Sequence, residues 1–227
     1  MTTPLTPLNF GTNLGLSADE VLSTTRSVRQ RLDFDRPVPP ELLTACVRLA
    51  LQAPSGSNQW LTQFVIVTDS DQRLALAEVY RKGYEVYRTT PGYIGALDKG
   101  SDERNASQQR TATSADYLAE HIHRAPALVV ACAMGRADNS PPVATTSLFG
   151  SVLPGVWSFM LAARNRGLGT SWTTVLLFQE QEAAKVLGIP IDKVSIAALT
   201  PVAFTKGTDF RPATRPEPEE VIHWNRW

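Results

Sequence analysis

Three runs constrain this chain more than any other feature: "FVIV" at 64–67, "ALVVACA" at 127–133 and "VSIAALTPVAF" at 194–204. All three are apolar almost throughout and rich in β-branched or small residues. A half-exposed strand alternates polar and apolar positions, whereas a run without alternation belongs inside the fold. Each run therefore reads as a buried strand, the first two short and the third long.

Helical patterns fill the spaces between them. Ser17 and Glu20 make a capping box that opens a helix expected to run to about Arg29. A second helix is expected over 39–52, where Leu42, Leu43, Cys46, Val47 and Ala50 recur at helical spacing and Pro39 and Pro40 suit the first turn. Further helices are expected from Ser70 towards Tyr87, over 107–123, over 145–166 and in "QEQEAAKVLG" at 179–188, with "TSWTT" at 170–174 as a short strand. Loops rich in Gly, Pro or turn residues separate them at 89–100 and 134–142. Residues 1–16 read as a loose arm, and 205–227 as a polar, Pro-rich tail that ends in Trp224 and Trp227. Such a tail should pack either on its own domain or on a second subunit. The opening helix pair and the tail do not fit a repeated βαβ unit. The chain reads as one α+β domain over 17–204 with a mixed central sheet flanked by helices.

Charge and cysteine content remove several classes of function. Among 227 residues, 22 are basic and 22 acidic, for a formal net charge of zero. Nucleic acid is not expected as a main partner, because binding its phosphates draws on a basic excess. A chain of this length buries roughly 70% of its unfolded surface and needs neither disulfide nor metal to be stable. Cys46 and Cys132 each lie in an apolar run and read as reduced, buried residues of a cytoplasmic protein. No Cys/His cluster fits structural zinc, and His121 and His123 fall on different sides of a helix, which is wrong for a metal pair. The first residues lack the basic start and apolar core of a signal peptide, and no apolar stretch reaches membrane-spanning length.

Four stretches carry candidate chemistry. "TTRSVRQR" puts Arg26 and Arg29 on one face of the expected helix with Ser27 between them. Two guanidinium forks and a hydroxyl suit a phosphate; two cations at a helix's carbonyl end are the structural alternative. "PSGSNQW" offers Ser55, Ser57, Asn58 and Gln59 as mixed donors and acceptors beside Trp60, with Gly56 allowing close backbone approach. That set matches the edge of a flat polar heterocycle, or else a helix-to-strand turn. "RGLGTSWTT" is not a dinucleotide loop, since Trp172 stands where a third glycine is needed and a helix precedes it. It reads as a helix end with Gly167 left-handed, followed by backbone N–H groups open to a ligand. "KGTDFRPATR" adds Lys206, Arg211 and Arg215. Taken together, several stretches suit one phosphate and two suit one planar ring. No positioned nucleophile or acid–base pair accompanies them, which is the pattern expected when a cofactor does the chemistry.

In their order, "RSVR", "APSGSNQW", "RGLGTSWTT" and "LTPVAF…FRPATR" resemble the FMN-dependent nitroreductase family over residues 26–215. The ends look like its actinobacterial branch with a terminal "HWN-x-W". The resemblance implies an interlocked homodimer with FMN in clefts at the subunit interface. It implies that Arg26, Ser27, Val28 and Arg29, with Arg211 or Arg215, hold the phosphate and ribityl end. Ser57 and Asn58 would address the ring or ribityl oxygens, and Trp172, Thr173 and Thr174 would lie along the ring's other side with a backbone N–H at N5. Trp60 would form part of the substrate pocket. NADPH or NADH would be the transient reductant and a nitroaromatic, quinone or similar small molecule the oxidant. Other reactions of this fold, namely dehalogenation and dehydrogenation, and FMN storage without turnover are the alternatives. Two positions depart from the family pattern: Ala213, where a basic residue is common, and Arg31, where an aromatic is common.

Overall fold

A computed structural model describes residues 13–227; most of the arm expected over 1–16 lies outside them. The elements, in chain order, are α1 (Ala18–Thr24), β1 (Leu32–Asp33), α2 (Pro40–Ala50), β2 (Thr62–Val67), α3 (Ser70–Arg88), α4 (Asp102–His121), β3 (Ala127–Met134), α5 (Pro142–Arg164), β4 (Leu168–Thr170), α6 (Glu180–Leu187) and β5 (Val194–Thr205).

β5 is the spine of the sheet. It pairs with β3 along residues 194–202, with β4 along 202–204 and with β1 at 204–205, and β3 pairs in turn with β2. All of these ladders are antiparallel. The sheet is therefore antiparallel rather than mixed as expected, and among the described residues parallel pairing occurs only in two isolated bridges, Ser27 with Thr170 and Gly135 with Val194. Burial agrees with the unbroken apolar runs: every residue of β5 up to Phe204, and of β3 up to Ala133, is buried. One layer of apolar packing joins the sheet to α3, α4 and α6 through Leu76, Tyr80, Leu118, Leu128, Val130, Ala183 and Ile196. Another joins it to α2 and α5 through Leu43, Cys46, Val129, Phe159, Met160 and Val202.

Two helices differ from expectation, each for a local reason. The Ser17–Glu20 capping box is present, but α1 stops at Thr24 instead of Arg29. Ser23, Thr24 and Thr25 turn their hydroxyls back on the carbonyls of Asp19, Glu20 and Val21, at 2.6–2.7 Å. Such back-bonding offers the backbone an alternative to continuing the helix. Arg26 and Arg29 are therefore not on a helical face. The second case is α5, which is long and apolar enough by length and composition to cross a membrane. It packs on α2, β3 and β4 in the core, which accounts for its apolar character. The strand expected at "TSWTT" ends at Thr170, and α4 begins at Asp102, where Ser101 accepts from the Arg104 N–H at 3.4 Å.

α3 meets the turn Val175–Gln179 at Gly83, where an added Cβ would collide with the Val175 carbonyl oxygen. That neighbour is main chain and has little freedom to give. Gly83→Ala should destabilise the fold by about 1–3 kcal/mol, read from chemical denaturation. Burial also pushes the Cys46 and Cys132 thiols up to about 11 from an ordinary value of 9.0. The unfolded chain therefore releases these protons first as pH rises. Their contribution to stability is complete below pH 9 and is lost on passing through pH 11. At pH 8 both thiols should resist an alkylating reagent until denaturant is added.

Candidate functional site

With α1 ended at Thr24, residues 25–28 run beside β4, bridging it at Ser27, and residues 29–31 then turn, with the Leu32 N–H donating to the Arg29 carbonyl at 3.1 Å. The Val28 N–H donates to the Thr170 carbonyl at 2.7 Å, and the Val28 side chain is buried. Gly169 makes this approach possible. A Cβ there would stand 2.7 Å from Thr205 Cγ2, 2.9 Å from Leu32 Cδ2 and 3.1 Å from Val28 Cβ. The second glycine of "RGLG" thus serves packing, while Gly167 at φ +73° ends the helix as expected.

This segment lines a cavity of about 260 Å³ with Arg26, Ser27, Val28, Arg29, Gln30, Arg31, Ser114 and Phe210 around it. Arg29 is half-buried and donates to Ser114 Oγ at 3.2 Å. Burial lowers its pKa, and only the phenols of Tyr80, Tyr84 and Tyr87 act the other way. Arg26 is exposed, and its Nη1 donates to the Arg211 carbonyl at 2.9 Å. Among the described residues no carboxylate pairs with either arginine. A desolvated cation without a counter-charge is costly unless an anion completes it. The donor set of two guanidiniums and a hydroxyl fits a phosphate.

The stretch after β4 is tied to the sheet more tightly than expected. The Thr173 N–H donates to the Leu199 carbonyl at 3.0 Å, its Oγ1 donates to the same oxygen at 2.9 Å, and its carbonyl accepts from Leu199. Its N–H is thus not available to a ligand, and Trp172 and Thr174 supply the remaining backbone donors. Trp172 itself packs against the apolar layer beneath the sheet. Tyr80, invisible as a site residue in the sequence, lies near Thr173 and Arg29. Burial pushes its phenol up to about 12.

The "PSGSNQW" hinge sits elsewhere, on α5. The Gly56 N–H donates to Ser151 Oγ at 2.9 Å, and an added Cβ would stand 3.0 Å from that oxygen. Ser57, Asn58 and Trp60 all take left-handed backbone angles, with φ of 51°, 55° and 54°. Asn tolerates this conformation; Ser and Trp do so at a cost, and strain of this kind gathers at functional positions. Ser57, Asn58 and Trp60 are exposed, and the hinge's own cavity, about 10 Å³, holds no more than a water. Among the described residues no hydrogen bond links the hinge to residues 26–31. Of the two tail arginines, Arg211 touches Arg26 through its carbonyl, while Arg215 donates to the carbonyl of its neighbour Thr214 at 3.1 Å.

The nitroreductase family model matches residues 22–203. No curated protein sequence matches the chain. Among solved structures, the FMN and NADPH-dependent nitroreductase NfnB from Sphigopyxis sp. strain HMH is 21% identical, with a TM-score of 0.66 over 93% of this chain and 100% of that one. Iodotyrosine deiodinase bound to FMN and 3-iodo-L-tyrosine is 20% identical, with a TM-score of 0.65 over 89% and 96%. A BluB-like flavoprotein from Clostridium difficile 630 is 17% identical, with a TM-score of 0.65 over 92% and 99%. At these identities the likeness establishes a shared fold.

Ser57→Gly should leave stability unchanged or raise it by up to about 1 kcal/mol, because glycine adopts φ near 50° without strain. Thermal melting of the ligand-free protein measures this, and a clear loss would show that Ser57 is not strained.

Proposed function

The chain belongs to the nitroreductase family, and on that premise we propose an FMN-dependent oxidoreductase that takes hydride from NADPH or NADH and then reduces a nitroaromatic, a quinone or a similar small oxidant at the same site. The observation that carries this reading is the pair Arg26 and Arg29, both without a carboxylate partner among the described residues, sharing one cavity with the Ser27 hydroxyl. A phosphate dianion answers that surplus of charge.

When bound, FMN would supply the redox chemistry, accepting hydride at N5 and returning the electrons to the oxidant. The chain's own residues bind and orient. Arg29 contributes the more buried positive charge, Arg26 a more exposed one, and Ser27 a hydroxyl. Val28 contributes fixed backbone, since its N–H is held by Thr170. The backbone N–H groups of Trp172 and Thr174 are available to polarise the ring edge, as a fixed donor stabilises charge developing there. Arg211 is the better tail candidate for the phosphate because its backbone already meets Arg26; Arg215 has no such contact.

A homodimer follows from the same reading. Ser57, Asn58 and Trp60 have left-handed backbone angles, are exposed and are separate from the arginine cavity of their own chain, so they would complete the cavity of a second copy. The tail 205–227 favours this too, with Val221, Ile222, Trp224 and Trp227 left exposed on the single chain. The reading carries with it a cytoplasmic location, which two free, buried cysteines support.

The purified protein should be yellow and should bleach when mixed anaerobically with NADPH or NADH. Retention of FMN without bleaching would point to storage. A colourless preparation after FMN is added would remove the flavin reading. Arg29→Ala should weaken FMN binding roughly ten- to hundredfold, as expected for losing a charge-assisted contact, in a fluorescence titration.

A further inference from the structure

We propose that Arg31 is a positioning residue for the flavin phosphate: with Arg164 it clamps the start of the C-terminal tail and, through the tail, fixes Arg26. The proposal rests on the FMN reading above and adds a residue that the family pattern fills with an aromatic.

The chain leaves the sheet at Thr205 and turns at Gly207. Arg31 holds that exit at several points. Its carbonyl accepts from the Lys206 N–H at 2.8 Å, its Nε donates to the Lys206 carbonyl at 3.0 Å, and its Nη2 meets Asp209 Oδ1 at 2.6 Å. Its guanidinium carbon lies 4.3 Å from the centre of the Phe210 ring. Arg164, the last residue of α5 and 6% exposed, reaches the same place from the core. Its Nη2 donates to the Thr208 carbonyl at 3.1 Å and its Nε to Thr24 Oγ1 at 3.1 Å, and its guanidinium carbon stands 4.9 Å from the Phe210 ring centre. Gly207 has φ +78°, and a Cβ there would lie 2.8 Å from Arg31 Nη2, so the turn accepts no other residue without strain.

Two guanidiniums beside one ring repel each other. Burial, and then the charge of Arg31, lower the Arg164 pKa, and among the described residues no carboxylate offsets Arg164. The Phe210 π face attracts both cations and holds the arrangement together. One residue further on, the Arg211 carbonyl accepts from Arg26 Nη1 at 2.9 Å. A continuous set of contacts therefore runs from Arg31 through residues 206–210 to Arg26. The ion pair with Asp209 is the least of them, because the side chains are 38% and 89% exposed and water screens the charges.

The test compares FMN with riboflavin, which lacks the phosphate, by fluorescence titration on folded wild type, Arg31→Ala, Phe210→Leu and Asp209→Asn. Hydrogen exchange over residues 206–211 is measured alongside. Wild type should prefer FMN. Arg31→Ala and Phe210→Leu should each reduce that preference roughly two- to thirtyfold, leave riboflavin affinity unchanged and expose 206–211 to exchange. Asp209→Asn should stay within about twofold of wild type. Unchanged preference in Arg31→Ala overturns the proposal. Preference kept in Phe210→Leu but lost in Arg31→Ala makes Arg31 a direct ligand and overturns the positioning role. A wild type indifferent between the two flavins overturns the phosphate reading beneath it.

Discussion

The cavity depends on how closely two stretches of backbone approach at Gly169. Because that residue has no side chain, Val28 and Leu32 pack directly over β4, and the Val28 N–H reaches the Thr170 carbonyl. The rest of 26–31 is carried with them. Arg29 is held by Ser114 within the electrostatic influence of the α3 phenols, Arg26 by the departing tail, and Arg31 by the turn at Gly207. β5 stabilises the same corner from below, since the Thr205 N–H donates to the Gly167 carbonyl. One absent methyl group thus brings together arginines from the early chain and main-chain groups from its end.

Two arginines of this protein illustrate how environment separates structure from binding. Arg136 is fully partnered: it donates to both oxygens of Glu180 at 2.9 and 3.1 Å, pairs with Asp138 and reaches the Val194 carbonyl. Glu180 also accepts from the Ile196 N–H, so the group closes the end of β5, and the Arg136 pKa is raised, first by its bond to Glu180. Arg29 has a hydroxyl, nearby phenols and a lowered pKa, with burial the main cause. The first cation is satisfied by the fold. The second has, among the described residues, no carboxylate partner. A formal net charge of zero conceals this division: Asp209 pairs with Arg31, which lines the cavity, while among the described residues no carboxylate pairs with Arg29.

The candidate residues are also divided along the chain. The cationic ones gather around β4 and the tail, and the hinge lies on α5, where Ser57, Asn58 and Trp60 keep left-handed backbone angles in solvent. Strained, exposed residues are poorly explained by their own domain. They make sense if the surface they present is covered by another copy, as does a tail that ends in two exposed tryptophans.

Local chemistry and patterning in the sequence settled a good deal. Apolar runs without alternation became buried strands, the Ser17–Glu20 box opened α1, and Pro40 began α2. The four candidate stretches were legible because arginines, short polar side chains and glycines are unusual in that company. Tertiary packing decided the remainder. Back-bonding by Ser23, Thr24 and Thr25 ended α1 early and moved Arg26 and Arg29 off a helix, onto a stretch that runs beside β4 and then turns. The Thr173 N–H went to Leu199, and Tyr80, Ser114, Arg164 and Phe210 joined the cavity or its support from distant parts of the chain. Periodicity and caps act over a few residues, so they are written in the sequence. Which guanidinium is left without a counter-charge depends on groups 85 to 185 positions away, and only the folded chain brings those into contact.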